Sequence, residues 1–270
     1  MVRPSSIVHR PSRRNPSIAR YTLHVTRYTK MMARGARPIV VTIDGPGGVG
    51  KSTAARLLAT RLGVRYLDTG ATYRALAYSA SARGIDYGDT RALAAMAKAL
   101  PLAFEDSQEG VRVSLSGSDI SESIRTEGVT EAAALVAQHP EVRRELVRLQ
   151  RRLAGTAGAV VEGRDAGSVI FPGAAHKFFL DATLEVRARR RQRELGARYG
   201  SLPPLEQIRE QLRFRDQLDI QRRTGPLIRP RGAVRIETSR LSVAQVVARM
   251  AASVAAGPTS QAVTRSGAGS

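Results

Sequence analysis

The nine residues GPGGVGKST, from Gly45 to Thr53, have the composition of a phosphate-binding loop. An apolar run precedes them at 39–43 and a helical pattern follows from Lys51 to Leu62, which is the strand–loop–helix context that such a loop needs. Glycines let backbone N–H groups turn toward a phosphate, and the helix start adds a positive field. The residues expected to contact a nucleotide are Gly45, Pro46, Gly47, Gly48, Val49, Gly50, Lys51, Ser52 and Thr53.

Two side chains of this loop carry its chemistry. Lys51 is placed to reach the β- and γ-phosphate oxygens, and the Ser52 hydroxyl is placed to ligate Mg²⁺. The loop therefore predicts a nucleoside triphosphate with Mg²⁺, but it does not separate a switch, a motor and a kinase. The chain has no Asn-Lys-x-Asp sequence for reading guanine, and its candidate strand at 159–163 leads into Arg164 and Asp165 rather than an Asp-Glu pair. Phosphate transfer to an acceptor is favoured.

Further segments place charged side chains where an acceptor would bind. The segment YLDTGATYRALA (66–77) presents Thr69 and Arg74 near a glycine turn. The segment VVEGRDAGSVIFP (160–172) puts Arg164 and Asp165 after a strand, at the edge where open α/β sheets bind ligands.

The segment RFRDQLDIQRRTGPLIRP (213–230) spaces Arg215, Asp219 and Arg222 at i, i+4 and i+7. On a continuous helix this spacing stacks a cation, an anion and a cation along one face. From the residues alone, a solvated ladder of ion pairs is favoured over a binding site.

The elements that must position these residues alternate between strand and helix. Such alternation predicts an α/β fold with a parallel sheet built from βαβ units. The segment 100–126 breaks the rhythm with β-type runs at 102–105 and 111–115 and predicts a small antiparallel insertion. Ser242 with Gln245 predicts a capping box for the last helix. The other expected helices are 74–83, 142–153, 184–195 and 204–223, and the other expected strands are 177–182 and 234–238.

Composition narrows the class of ligand. The 270 residues carry a net charge of +20, and arginine is suited to gripping phosphate, so anionic ligands are expected. Residues 1–37 contain nine Lys or Arg and no acid, and we expect a basic disordered tail or a misassigned start rather than a targeting signal; 257–270 is expected to be a second disordered tail. Cysteine is absent, which excludes disulfides, and no run approaches the ~18–20 apolar residues of a membrane span.

The motifs GPGGVGKST, LDTGATYR, SESIRT, VVEGRDAGSVIFP, RARRR and RDQLDIQRR, in this order, closely resemble the bacterial cytidylate kinases over about residues 38–255. The resemblance implies transfer of the γ-phosphate of ATP, with Mg²⁺, to CMP or dCMP. It implies a P-loop core spanning 38–256, with a monophosphate-binding insertion at about 66–150 and an arginine-rich lid at about 187–222. A monomer in the cytoplasm is expected, without membrane contact.

The resemblance also assigns roles to individual residues. It implies that Arg143 and Asp165 read the cytosine, while Arg215 and Asp219 contact the ribose. The residues that it places around the phosphates or in the substrate site are Thr69, Arg74, Arg164 and Arg222; the lid would contain Arg187, Arg190 and Arg191; and catalysis would use Lys51, Arg164, Arg190 and Arg222.

The chemistry of the bases agrees with the role implied for Asp165. Cytosine presents an exocyclic amine donor, which a carboxylate can accept. Uracil presents a carbonyl at that place and would face the carboxylate as a second acceptor. A buried polar group left unpaired discriminates strongly between ligands.

The sequence departs from the family pattern at two positions. Ala134 stands where the family commonly has a serine that helps to hold the base, so we expect a raised KM for CMP. Gln221 replaces the usual asparagine near the end of its helix, which we treat as a mild change. The alternatives are a P-loop kinase of another small acceptor, such as UMP or a metabolite, and an ATPase that binds nucleic acid. The second is less favoured because aromatic residues make up only 4% of the chain.

Overall fold

The computed structural model describes residues 39–107, 110–200 and 202–257. The tail predicted for 1–37 lies outside these residues, as does the tail predicted for 257–270 beyond Gly257. The strands are β1 (Val40–Asp44), β2 (Arg65–Asp68), β3 (Leu102–Ser107), β4 (Gly110–Leu115), β5 (Ser118–Asp119), β6 (Ala159–Gly163), β7 (His176–Asp181) and β8 (Val234–Glu237). The helices are α1 (Lys51–Leu62), α2 (Thr69–Ala82), α3 (Thr90–Lys98), α4 (Glu127–Val136), α5 (Pro140–Ala154), α6 (Leu184–Tyr199), α7 (Leu205–Gln221) and α8 (Val243–Ala255).

The core is a five-stranded parallel sheet in the order β2-β6-β1-β7-β8. The central strand β1 is almost wholly buried, with Val41 and Ile43 inaccessible to solvent, as expected for a parallel strand covered on both faces. Asp44, at the end of β1, lies in register with Gly163 at the end of β6. The loops that follow these two strands therefore leave the sheet side by side.

An antiparallel sheet of β3, β4 and β5 forms a second layer of structure beside the core. It packs with α2 to α5 around its own apolar cluster, which includes Leu76, Leu93, Ile124 and Leu146. The antiparallel insertion predicted from the sequence is confirmed. None of the helices in the described part of the chain has both the length and the apolar character needed to cross a bilayer.

Several predicted elements match closely, including α1 at 51–62 and β6 at 159–163. The helix expected at 74–83 instead begins at Thr69, because the Asp68 carboxylate accepts the N–H of Ala71 at 3.1 Å and caps the helix there. The four-residue strand β2 and the nine-residue helix α3 were not predicted from the sequence.

The predicted ladder on residues 215–222 is wrong at its last member. Helix α7 ends at Gln221, and Arg222 has φ −57° and ψ 135°, which is an extended conformation. Arg222 nevertheless lies near Asp219, with 3.5 Å between Nη1 and Oδ1. The chain turns at the helix end and brings this arginine back toward the carboxylate.

Helix α8 begins with the predicted capping box. The Ser242 hydroxyl accepts the Gln245 N–H at 3.3 Å, and the Gln245 side chain accepts the Ser242 N–H at 2.9 Å. Two backbone donors that the helix geometry leaves free are thereby satisfied.

We expect Ser242→Ala to lower the free energy of unfolding by about 1 kcal/mol, which corresponds to about 2–4 °C in Tm for a chain of this size. Thermal unfolding followed by circular dichroism measures the change. Thr60→Ala, which removes an exposed hydroxyl inside α1, is the matched control and should not destabilise. Equal Tm values for S242A and the wild type would contradict the role of the cap.

Candidate active site

The phosphate-binding loop joins β1 to α1 and holds a buried lysine. The ammonium group of Lys51 donates to the carbonyl of Pro46 at 2.7 Å. Burial, and next the nearby charge of Arg164, lower the pKa of Lys51 to about 7. The loop is thus arranged so that an anion bound there would compensate a poorly solvated cation.

Ser52 is exposed on the first turn of α1, and its hydroxyl lies near enough to the carboxylate of Glu162 to favour the charged form of that group. Glu162 is buried near the end of β6, where it accepts the Tyr66 hydroxyl. Burial, and next the charge of Asp68, raise its pKa. Glu162 was not predicted as a site residue from the sequence. The signal was present, because a carboxylate ends the strand next to the one that precedes the loop.

Arg143 and Asp165 form an ion pair that is almost completely buried, between α5 and the segment after β6. The Arg143 guanidinium also lies over the ring of Tyr73, 5.5 Å from its centre. Gly225 packs directly on the pair with a φ of +60°, and a Cβ at that position would collide with both partners. The two charged residues were expected at one place from the sequence, but this glycine was not, because only the fold places it beside them.

Three arginines surround the carboxylate of Asp219. Arg164 Nε lies 2.8 Å from its Oδ2, and Arg222 Nη1 lies 3.5 Å from its Oδ1. Arg222 also donates to the carbonyl of Gly225 at 2.8 Å. Burial and the charge of Arg164 lower the pKa of Arg215 to about 10. Burial alone would raise the pKa of Asp219, but the charges of its arginine neighbours outweigh it and lower that pKa. One carboxylate among three guanidinium groups leaves an excess of positive charge.

Thr69 and Arg74 lie at the beginning of α2 on the same side of the site. The Thr69 hydroxyl donates to the Glu162 carbonyl at 2.7 Å, and Arg74 forms a 2.6 Å ion pair with Asp68. Both residues line the cavity that also contains Asp165 and Arg222.

The three arginines expected in a lid occupy different environments. Arg187 is buried, pairs with Asp216 at 2.7 Å and donates to the carbonyl of Gly47 at 3.3 Å. Arg190 donates to the Thr238 carbonyl at 2.6 Å and to the Val49 carbonyl at 3.3 Å. Arg187 and Arg190 therefore both support the phosphate-binding loop through its backbone carbonyls.

Arg191 differs from those two because, within the described residues, its one ion pair is with Glu194 of its own helix, at 2.9 Å. Its side chain is about one quarter exposed. It borders the cavity that contains Asp165 and also a second cavity. Among the three, it is the arginine whose guanidinium has most freedom to move toward a ligand.

Two cavities meet at the phosphate-binding loop. The first, of about 290 Å³, extends from the loop past Arg164 and Asp165 to α4, where Ala134 lines it. The second, of about 690 Å³, lies between the loop, α6 and the segment 238–243. Gly48, Lys51 and Ser52 border both cavities. Two ligands bound on either side would approach each other at the lysine.

The chain matches known proteins along most of its described length. The family model described as Cytidylate kinase matches residues 41–256. A cytidylate kinase of Geobacillus kaustophilus is 46% identical over 214 residues, covering 79% of this chain and 95% of the relative. One of Pelotomaculum thermopropionicum is 44% identical, covering 80% of this chain and 96% of the relative. Identity at this level over nearly the whole of each relative establishes that the chain belongs to the cytidylate kinase family.

Proposed function

We propose that this protein transfers the γ-phosphate of ATP to CMP or dCMP, giving ADP and CDP or dCDP. The observation that carries the proposal is the pair of cavities that share Lys51 and Ser52. A donor in one cavity and an acceptor in the other would meet at a cation beside a phosphate-binding loop. That arrangement supplies the positioning and charge neutralisation on which phosphoryl transfer mainly depends.

The first cavity takes the acceptor. Asp165 lines this cavity and pairs with the buried Arg143. The two residues would read the base, with the Asp165 carboxylate accepting the exocyclic amine of cytosine. The same carboxylate would repel the carbonyl that uracil presents there. Arg215 and Asp219 also line this cavity and would contact the ribose.

The acceptor phosphate would lie among Arg74, Arg164 and Arg222, with Thr69 beside it. These guanidinium groups are already held in place by carboxylates, so little reorganisation is needed when the charge of the transition state develops. No strong base is required, because the attacking phosphate oxygen is already anionic.

The second cavity takes ATP. The loop from Gly45 to Thr53 would hold its phosphates, Lys51 would contact the transferred group, and Arg190 would act from α6. The Ser52 hydroxyl and the Glu162 carboxylate lie together and are hard oxygen donors of the kind that Mg²⁺ prefers, so they fit this ion. Held by these two groups, the ion would supply charge neutralisation for the phosphates of ATP.

The arginine-rich segment at about 187–222 would close over both ligands and exclude water, so that ATP is not hydrolysed without an acceptor. The proposal includes a monomer that acts in the cytoplasm, with small molecules as its only substrates. The charge distribution supports only the last point, because nine of the basic residues lie at 1–37, outside the kinase unit proposed here for 38–256.

Incubation of the full chain with Mg-ATP and CMP, dCMP, UMP, AMP or GMP, each in turn, tests the function by the diphosphate formed. We expect rapid turnover of CMP and dCMP and weak turnover of UMP. Asp165→Asn should reduce the preference for CMP over UMP by about tenfold or more, because the site loses its charged acceptor. Asp119→Asn, at an exposed residue of β5, is the matched control.

Failure to phosphorylate any of these monophosphates would overturn the proposal. If RNA or DNA then stimulated ATP hydrolysis, the phosphate-binding loop would still be an ATP site, but the assignment of a nucleoside monophosphate as acceptor would be wrong. Phosphorylation of a different small acceptor would leave a kinase with another specificity.

Ala134→Ser should lower the KM for CMP by roughly 2- to 10-fold, because a hydroxyl in the first cavity adds one hydrogen bond to the base. Steady-state kinetics at saturating ATP measures it. Leu135→Ser, on the exposed side of α4, is the control and should leave KM unchanged. A KM for A134S equal to that of the wild type would show that base recognition does not depend on this position.

Binding of ATP should be accompanied by proton uptake near pH 8. The pKa of Lys51 is lowered to about 7 without ligand, so the side chain is mostly neutral at pH 8, and bound phosphates raise its pKa again. Calorimetry in buffers of different ionisation enthalpy measures the uptake, which should shrink at pH 6. Lys51→Arg stays charged throughout and should take up fewer protons. Equal uptake by both proteins at pH 8 would count against this account.

A further inference from the structure

Asp44, the last residue of β1, is completely buried directly before the phosphate-binding loop. Its carboxylate accepts hydrogen bonds from a different segment of the chain, not from that loop. Oδ1 accepts the N–H of Ala166 at 2.6 Å, and Oδ2 accepts the N–H of Gly167 at 2.8 Å. The two amides follow immediately after Arg164 and Asp165 in the chain.

The amides that Asp44 binds begin a single wide helical turn, 166–170. The first N–H groups of any helical turn have no partner within it, and a negative charge is favoured there. At the other end of the turn, Arg151 donates to the carbonyls of Ile170 at 2.8 Å and Val169 at 3.0 Å. The turn is therefore held at both ends by charges of the sign that its backbone favours.

The contact between the turn and β1 leaves no room for a side chain. A Cβ on Gly167 would lie 2.6 Å from Thr42 Oγ1 and 3.1 Å from Asp44 Oδ2. The glycine is needed for this close approach. The position of the turn is thus set by the strand that also leads into the phosphate-binding loop.

We propose that Asp44 is a positioning residue that fixes Arg164 and Asp165 relative to the phosphate-binding loop. The inference rests on the function proposed above and deepens it. Asp44 borders neither of the two described cavities, so it acts through the turn rather than on a ligand. The end of β1 would then fix two positions at once: that of the loop that holds the donor phosphates, and that of the residues that read the acceptor.

The chemistry of the site supports a role beyond stability. Burial raises the pKa of Asp44 to about 7, which means that an ionised carboxylate is costly at this place. A neutral residue that filled the same space would avoid that cost but would lose one of the two acceptors.

Asp44→Asn tests the proposal because the amide keeps the volume and one acceptor oxygen but turns an N–H₂ group toward a backbone N–H. We expect kcat/KM for CMP to fall about 10- to 100-fold, because small displacements of positioning groups have large effects on rate. The KM for CMP should rise and the preference for CMP over UMP should shrink, while the KM for ATP stays within about twofold. A merely structural role would affect both substrates together.

Thr42→Val is the matched control. Thr42 lies two residues earlier on β1, and its side chain faces the same glycine, Gly167. Unlike the Asp44 carboxylate, its hydroxyl has no hydrogen-bond partner within the described residues. It should keep wild-type kinetics. If D44N does not fold, Gly167→Ala displaces the same turn with Asp44 intact and should give the same split between the KM values.

Unchanged kcat/KM for CMP in D44N, or an equal loss for CMP and ATP, would overturn the proposal. The failure of the proposed function is seen separately, in the wild-type protein. If the wild type phosphorylates a different acceptor, the split between acceptor and ATP in D44N still decides the role of Asp44.

Discussion

Positive charge crowded into a partly dry cleft is the constraint on which the rest of the site depends. Lys51, Arg164 and Arg215 lie close enough for the charge of Arg164 to lower the pKa of both neighbours. The described residues offset this repulsion with a few carboxylates, chiefly Glu162 and Asp219. The balance still favours an anion, and a phosphate is the ligand that restores neutrality most directly.

The parallel sheet explains how residues far apart in the chain reach that cleft. Strands β1 and β6 are neighbours in register, so the loops that follow them emerge together although more than a hundred residues separate them. The helical and antiparallel insertion between these strands then supplies Arg74 and Arg143 from the outside. Two of the catalytic groups proposed here, Lys51 and Arg164, therefore share one frame, the ends of two adjacent strands.

Much of this arrangement was predictable from the sequence, because local patterns encode it. The glycine loop, the strand before it and the capping box at Ser242 are read from neighbouring residues. The short strand β2 was missed because four residues with charged ends carry no clear alternation. The roles of Gly225 and Asp44 were not predictable in this way, since each depends on a contact with a segment distant in the chain.

The ion pair between Arg143 and Asp165 has a consequence for how a base would be selected. Each group already satisfies the other before any ligand arrives, so a correct base would largely exchange one set of bonds for another. The net gain in affinity from such an exchange is small. An incorrect base, in contrast, would break the ion pair without supplying new hydrogen bonds. Two buried charges would then be left without partners, which costs free energy. Selectivity in such a pocket arises from the penalty on the wrong ligand and not from tight binding of the right one.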